Sequence, residues 1–332
     1  MFKYLAILTL FVFTASQTSG AIPLRNWGLE NFEADSHINI KKAWNITRGN
    51  KAIVVAVIDT GIDPTHPDLK DNLWHKNGTD EYGWDFVEKK KNPMDEYGHG
   101  THIAGIIGAT AKSGAGVSGV APNVSIMALR CLDPKDDKAS VNYCVQAINY
   151  AVENGAQIIN FSAGGTDFSA AEKKAIEAAG KKGILFVTAA GNHAQNLDSA
   201  GKFYPASYGL DNIISVAATT IRNELQAMSN WGLHNVNVAA PGEKIFSTFP
   251  HNRFSYLSGT SQAAAFVTGV ATLMLSENET LSPKQVREIL IDSSDRIPNL
   301  VGKIQAGGHI DAYAAVKRVR NTQRNIASKP RI

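Results

Sequence analysis

Ser258-Gly259-Thr260-Ser261-Gln262 opens onto an apolar run, Ala263 to Leu275, that reads as a buried helix. A serine at that junction sits at a helix N-terminus, where unpaired N–H groups and the dipole favour developing negative charge. Its hydroxyl is placed to be a nucleophile, which needs a base to take its proton and a third group to orient the base. Asp59 ends the β-branched run Ile53-Val54-Val55-Ala56-Val57-Ile58. Such a run reads as a strand buried on both faces, so the carboxylate emerges at the strand's C-terminal edge, where open α/β sheets hold ligands. His99 stands in Gly98-His99-Gly100-Thr101-His102, with small neighbours that allow close approach of substrate and backbone. Singly, these residues read as a turn former, a structural histidine and a helix N-cap. Together, in the order Asp, His, Ser, they point to nucleophilic acyl transfer. His102, three residues on, reads as structural.

The elements that must position these groups alternate along the chain. Strands are expected near 53–58, 124–130, 157–161, 184–188, 213–217 and 236–239. Helices are expected near 99–111, 140–154, 170–181, 283–293 and 311–319, with one more starting at Ser261. This alternation predicts an α/β fold, a three-layer α/β/α domain with a mainly parallel central sheet. The chain has 332 residues, 44% of them hydrophobic, enough for one large core. A net charge of +3 is too mild to argue for nucleic acid.

Four segments carry a resemblance: Val57-Ile58-Asp59-Thr60-Gly61 with His66-Pro67-Asp68; the His99 segment; Thr188-Ala189-Ala190-Gly191-Asn192; and the Ser261 segment. In this order the chain resembles the subtilisin-like (subtilase) serine endopeptidases. The resemblance implies a triad of Asp59, His99 and Ser261, with the Asn192 amide as oxyanion donor. It also implies a substrate groove walled by Ser162, Ala163 and Gly164 on one side and Ala189, Ala190 and Gly191 on the other. An extended substrate would add as a strand to the first wall. Ala163, where many relatives carry a larger aliphatic residue, implies a wider pocket rim. The implied partners are protein or peptide substrates of a monomer, and the implied catalysis needs no cofactor. Asp68 matches a carboxylate that ligates a structural calcium in some relatives. Gln262 and Ala265 depart from the family's usual Met and Pro. Ala265, by letting the helix close more regularly and shifting Ser261, keeps a peptide ligase or cyclase as an alternative. A catalytically silent peptide-binding protein is the other.

Residues 1–21 read as a signal peptide: Lys3, then an apolar stretch from Leu5 to Phe13 too short to span a bilayer, then small residues. The protein is therefore expected to be secreted or periplasmic, with no membrane contact after signal removal. The peptidase domain is expected over 22–319, with no room before it for a folded prodomain. Residues 320–332 read as a basic, disordered tail. Cys131 and Cys144, the only cysteines, form a candidate disulfide in an oxidising compartment.

Overall fold

The computed structural model describes residues 26–30, 36–114, 117–133, 141–199 and 201–327. The signal peptide expected at 1–21 and the last five residues lie outside this set. The strands are β1 (Gly49–Asp59), β2 (Gly83–Asp85), β3 (Lys90–Lys91), β4 (Asn123–Arg130), β5 (Ile158–Phe161), β6 (Leu185–Ala189), β7 (Ile213–Thr219), β8 (Val238–Pro241), β9 (Ile245–Phe249), β10 (Arg253–Leu257), β11 (Asp295–Arg296) and β12 (Gly308–His309). The helices are α1 (Ile40–Trp44), α2 (His99–Gly108), α3 (Val141–Glu153), α4 (Ala170–Lys181), α5 (Thr260–Glu277), α6 (Pro283–Asp292) and α7 (Ala312–Ala327).

Ten strands form one sheet in the order β11-β12-β8-β7-β6-β5-β1-β4-β2-β3. Every pairing from β12 to β2 is parallel, and only the two short edge strands β11 and β3 run antiparallel. The β-branched run of β1 explains its central place. Val55 and Val57 join the core on one face, and Ala56 and Ile58 join the core on the other. A fully buried aliphatic side chain of valine or isoleucine size contributes about 1.5–3 kcal/mol. The first core takes in α2, α5, α6 and α7, and the second takes in α3 and α4. The molecule is thus the three-layer α/β/α domain expected from the alternation. Helix α5 is apolar all round and buried from Thr260 to Leu275, as befits the spine of a core.

Cys131, just past β4, is bridged to Cys144 in α3, with a Cα–Cα distance of 5.3 Å, inside the range a disulfide requires. Both cysteines are fully buried in the α3–α4 core.

Besides short elements that the sequence did not suggest (α1, β2, β3, β11 and β12), three larger features differ from expectation. Helix α2 stops at Gly108 rather than 111, because Ala109 turns extended and Thr110 N–H donates to the Asp68 carbonyl at 2.9 Å. The tail expected to lose order after Val319 instead continues α7 to Ala327. Arg320 holds it there: Nε donates to Glu277 of α5 at 3.0 Å and Nη2 to the Ile46 carbonyl at 3.0 Å. A polar helix without apolar periodicity persists where such a fork anchors it. The third is the hairpin β9–β10, which no expected element covered. Its turn places His251 and Asn252 at positive φ, 65° and 54°. Asp63 accepts from the His251 N–H at 2.7 Å and fixes the turn. Among the described residues no helix is long and apolar enough to cross a membrane.

Candidate active site

The carboxyl ends of three adjacent strands lie level, with Ile58 paired to Phe161 and Phe161 to Thr188. The residues at and just beyond these ends therefore meet at one edge: Asp59 from β1, Ser162 from β5, and Ala189 to Asn192 from β6. This is the sheet edge at which α/β folds bind ligands.

Asp59 is fully buried. Its Oδ1 accepts from the Thr60 N–H at 2.8 Å and from His99 Nδ1 at 2.7 Å. An ionised carboxylate only accepts, so the pair assigns the imidazole proton to Nδ1 and leaves Nε2 with a free lone pair. Burial opposes charging of His99, but the charge and hydrogen bond of Asp59, with Asp95 behind, outweigh it and hold the imidazole pKa above its ordinary value.

His99 begins α2, and the helix is held from two sides. Asp95 is fully buried and accepts five hydrogen bonds: from the N–H groups of Tyr97, Gly98 and Thr101 and the hydroxyls of Thr60 and Thr101. It ties the first turn of α2 to the residue after Asp59. The Gly100 N–H completes the tie by donating to the Thr60 hydroxyl at 2.9 Å. Sequence reasoning passed over Asp95, although an acid just ahead of a helix start is a capping signal.

The second support is the β9–β10 hairpin. His102 Nε2 is shared between the Ile245 and Ser255 carbonyls at 3.0 and 3.2 Å. Ser247 and Thr248 hydroxyls donate to the carbonyls of His102 and Thr101. Burial, reinforced by the nearby His99, pushes the His102 pKa down to about 3, so it stays a neutral donor. The structural reading of His102 is the one its partners support. Gly98 has φ of 109°, and a Cβ there would lie 2.3 Å from the Phe249 ring, so glycine alone fits between hairpin and helix.

Ser261 lies in the first turn of α5 and is 9% exposed. Its hydroxyl donates to the Ser162 carbonyl at 2.9 Å, not to His99. Two of the three expected partners are thus in contact, and the serine is turned onto the β5 side of the groove. Ser162 is fixed in return: its Oγ accepts from Asn160 Nδ2 at 2.9 Å and donates to the Ser261 carbonyl at 3.2 Å. Asn160 Oδ1 accepts from Thr268 of α5 at 2.8 Å. This buried network clamps the strand end onto the helix.

Asn192 shares the same helix start. Its Oδ1 accepts from Thr260 N–H and Oγ1 at 2.9 and 3.0 Å. Those donors fix the amide so that Nδ2 is the free end. Thr260 Oγ1 also accepts from the Gly191 N–H at 3.1 Å, joining the end of β6 to α5. Gly259, at φ 150°, brings its Cα side to the amide, and a Cβ there would lie 3.1 Å from Nδ2. Asn230, also passed over in the sequence, holds the 190–195 loop by accepting from His193 and Gln195 N–H and donating to the Ala190 carbonyl. Were the Asn192 amide to serve as the oxyanion donor that the resemblance implies, Asn192→Ala would lower kcat about 10²–10³-fold, the size of losing one such donor. Steady-state kinetics on one peptide check this; a change confined to KM would contradict it.

Ala189 and Ala190 are buried beside Gly191, and Ala163 is buried in the apolar cluster that holds Phe161 and Tyr208. Asp68, the calcium ligand implied by the resemblance, is held by Ser113. Ser113 occupies both carboxylate oxygens, its N–H on Oδ1 at 2.7 Å and its hydroxyl on Oδ2 at 2.5 Å. Among the described residues no group of three or more His, Cys, Asp or Glu side chains is arranged to hold a metal ion.

Residues 50–324 match the subtilase family. The chain is 38% identical to the thermophilic serine proteinase of Bacillus sp. (strain AK1) over 274 residues, covering 82% of this chain and 64% of that protein. It is 37% identical to thermitase of Thermoactinomyces vulgaris over 280 residues, covering 84% of this chain and 94% of thermitase. Over 254 residues it is 36% identical to the major intracellular serine protease of Bacillus subtilis (strain 168), covering 76% of this chain and 77% of that one. With the parallel sheet, the buried Asp59–His99 pair and the serine at the start of α5, these matches make the chain a member of the subtilase family of serine endopeptidases.

Proposed function

We propose that this protein hydrolyses internal peptide bonds of protein substrates through an acyl-enzyme on Ser261. The observation that carries the reading is the buried Asp59–His99 hydrogen bond, which leaves Nε2 unprotonated on the side facing away from Asp59. Rotation about the Ser261 Cα–Cβ bond would move the hydroxyl from the Ser162 carbonyl to that nitrogen; catalytic hydrogen bonds of this kind commonly form only when substrate arrives. Ser261 Oγ then bonds to the scissile carbonyl carbon as Nε2 takes its proton. The carbonyl oxygen becomes an oxyanion facing Asn192 Nδ2 and the Ser261 N–H, one of the first-turn donors that the helix leaves unpaired. His99 returns the proton to the departing amine, the C–N bond breaks, and an ester remains. Water, deprotonated by the same Nε2, cleaves the ester and restores the serine. Asp59 holds the tautomer and offsets the imidazolium charge throughout.

The Cys131–Cys144 bridge supports maturation in an oxidising compartment, in keeping with export directed by residues 1–21. The decisive experiment is cleavage of a peptide library by the purified protein with and without a serine-directed fluorophosphonate. Cleavage abolished by one equivalent bound at Ser261 supports the reading. Cleavage that is indifferent to the reagent removes it.

The acid limb of activity follows from His99. The base works only when neutral, so kcat/KM rises with pH through the His99 pKa. Because that pKa is raised, the limb is expected to have its midpoint above the ordinary imidazole value of about 6.5. A pH profile on an uncharged peptide checks it, and a midpoint near 5 would contradict it.

A further inference from the structure

Two glycines stand at the groove walls, and each is occupied on its Cβ side by the same ring. A Cβ built on Gly164 would lie 2.3 Å from the Tyr204 carbonyl oxygen and 2.5 and 2.9 Å from Cε1 and Cζ of Phe203. A Cβ built on Gly191 would lie 2.5 Å from Asn230 Nδ2 and 3.0 Å from Cδ1 and from Cγ of that ring. The phenyl group therefore packs against both glycines. Glycine at both positions makes room for the ring and for the polar atom beside it, the Tyr204 carbonyl oxygen or Asn230 Nδ2.

The ring is fixed in that position. Phe203 is 6% exposed and belongs to the apolar cluster containing Ala190 and Leu197. The next residue, Tyr204, pairs its backbone with Gly165 in both directions, N–H to carbonyl at 2.7 and 2.9 Å. The His193 ring lies 5.7 Å from the Phe203 ring on the loop side. Close-packed surroundings of this kind do not yield to a second bulky group without cost.

We propose that Phe203 closes the floor of the pocket between the Ser162–Gly164 and Ala189–Gly191 walls. It thereby restricts the substrate residue bearing the attacked carbonyl to glycine, alanine or serine. The proposal rests on the hydrolase reading above, and deepens it by naming the substrate class. Larger side chains at that position would meet the ring before their carbonyl reached Ser261.

The test is a peptide series that varies only the residue before the cut: Gly, Ala, Ser, Leu and Phe. The wild-type protein is expected to favour Ala or Ser over Leu and Phe by about 10-fold or more in kcat/KM. In Phe203→Gly the Phe-to-Ala ratio is expected to rise about 10-fold or more, with Phe203→Leu intermediate. Wild-type cleavage after Phe or Leu at least as fast as after Ala overturns the proposal while leaving the hydrolase standing. So does a folded Phe203→Gly variant that labels with fluorophosphonate yet keeps the wild-type order. If neither variant folds, the wild-type series decides alone. Failure of every peptide together with failure of labelling overturns the hydrolase reading, and this proposal with it.

Discussion

Replacing Ser261 by alanine is expected to lower kcat about 10⁶-fold on a peptide substrate, with little change in KM. The size is that found for the corresponding serine in subtilisin, the namesake of this family. In the proposed mechanism Oγ is the atom that bonds to substrate, so its loss removes the acyl-enzyme route altogether. What survives is the contribution of Asn192, the helix start and the groove, about 10³–10⁴ over water. In that mechanism the serine and the imidazole act as one unit. Adding His99→Ala to Ser261→Ala is therefore expected to cost almost nothing further, far from the sum of the two single losses. Folding should be nearly untouched. The hydroxyl makes one hydrogen bond as donor, to the Ser162 carbonyl, and such a bond is worth about 1 kcal/mol. Single-turnover kinetics with matched thermal melts are the measurement. A Ser261→Ala protein that keeps a hundredth of its activity would show that another atom is the nucleophile.

Asp59→Asn is expected to lower kcat about 10⁴-fold, as the same change does in serine proteases of other folds. The structure shows why asparagine cannot substitute. Asp59 Oδ1 serves both the Thr60 N–H and His99 Nδ1, while Oδ2 is buried with no hydrogen-bond partner. An asparagine that keeps its oxygen on the two donors buries an unpaired NH₂ where Oδ2 was, and brings no charge to offset the imidazolium. The flipped asparagine presents N–H to Nδ1 and drives the proton to Nε2, so the base is lost. The two outcomes share a signature. Asp59 holds the His99 pKa up against burial, so the acid limb of residual activity should shift to lower pH in the variant. An acid limb that stays in place would mean that Asp59 does not govern the imidazole.

The chemistry of the site was legible because it is carried by short local patterns. A β-branched run that ends in Asp59 can only be an inner strand with a carboxylate at its tip. Gly259-Thr260-Ser261 ahead of a run of alanines can only put a hydroxyl at a helix start. Periods of two and 3.6 residues identified most of the layers, with ends off by a few residues where a cap or a contact decided them. The resemblance then joined these pieces in order. None of this reached the residues that hold the site in shape. Asp95, Asn230 and Thr260 read as ordinary polar residues, and only their partners make them organisers.

By itself, then, the sequence determined the parallel α/β layering and pointed to the candidate reactive groups, since both follow from local periodicity and local backbone preference. Tertiary structure alone decided how they are braced and how they now point. The hairpin β9–β10 grips α2 through His102, with partners more than a hundred residues away in the chain. Ser113 takes the carboxylate oxygens of Asp68, Arg320 extends α7 by reaching Glu277, and Phe203 packs against both Gly164 and Gly191. The Ser261 hydroxyl rests on Ser162 rather than on His99. Each of these is a choice of hydrogen-bond or packing partner, which depends on what the completed fold brings within about 3–4 Å, and no periodicity along the chain encodes it.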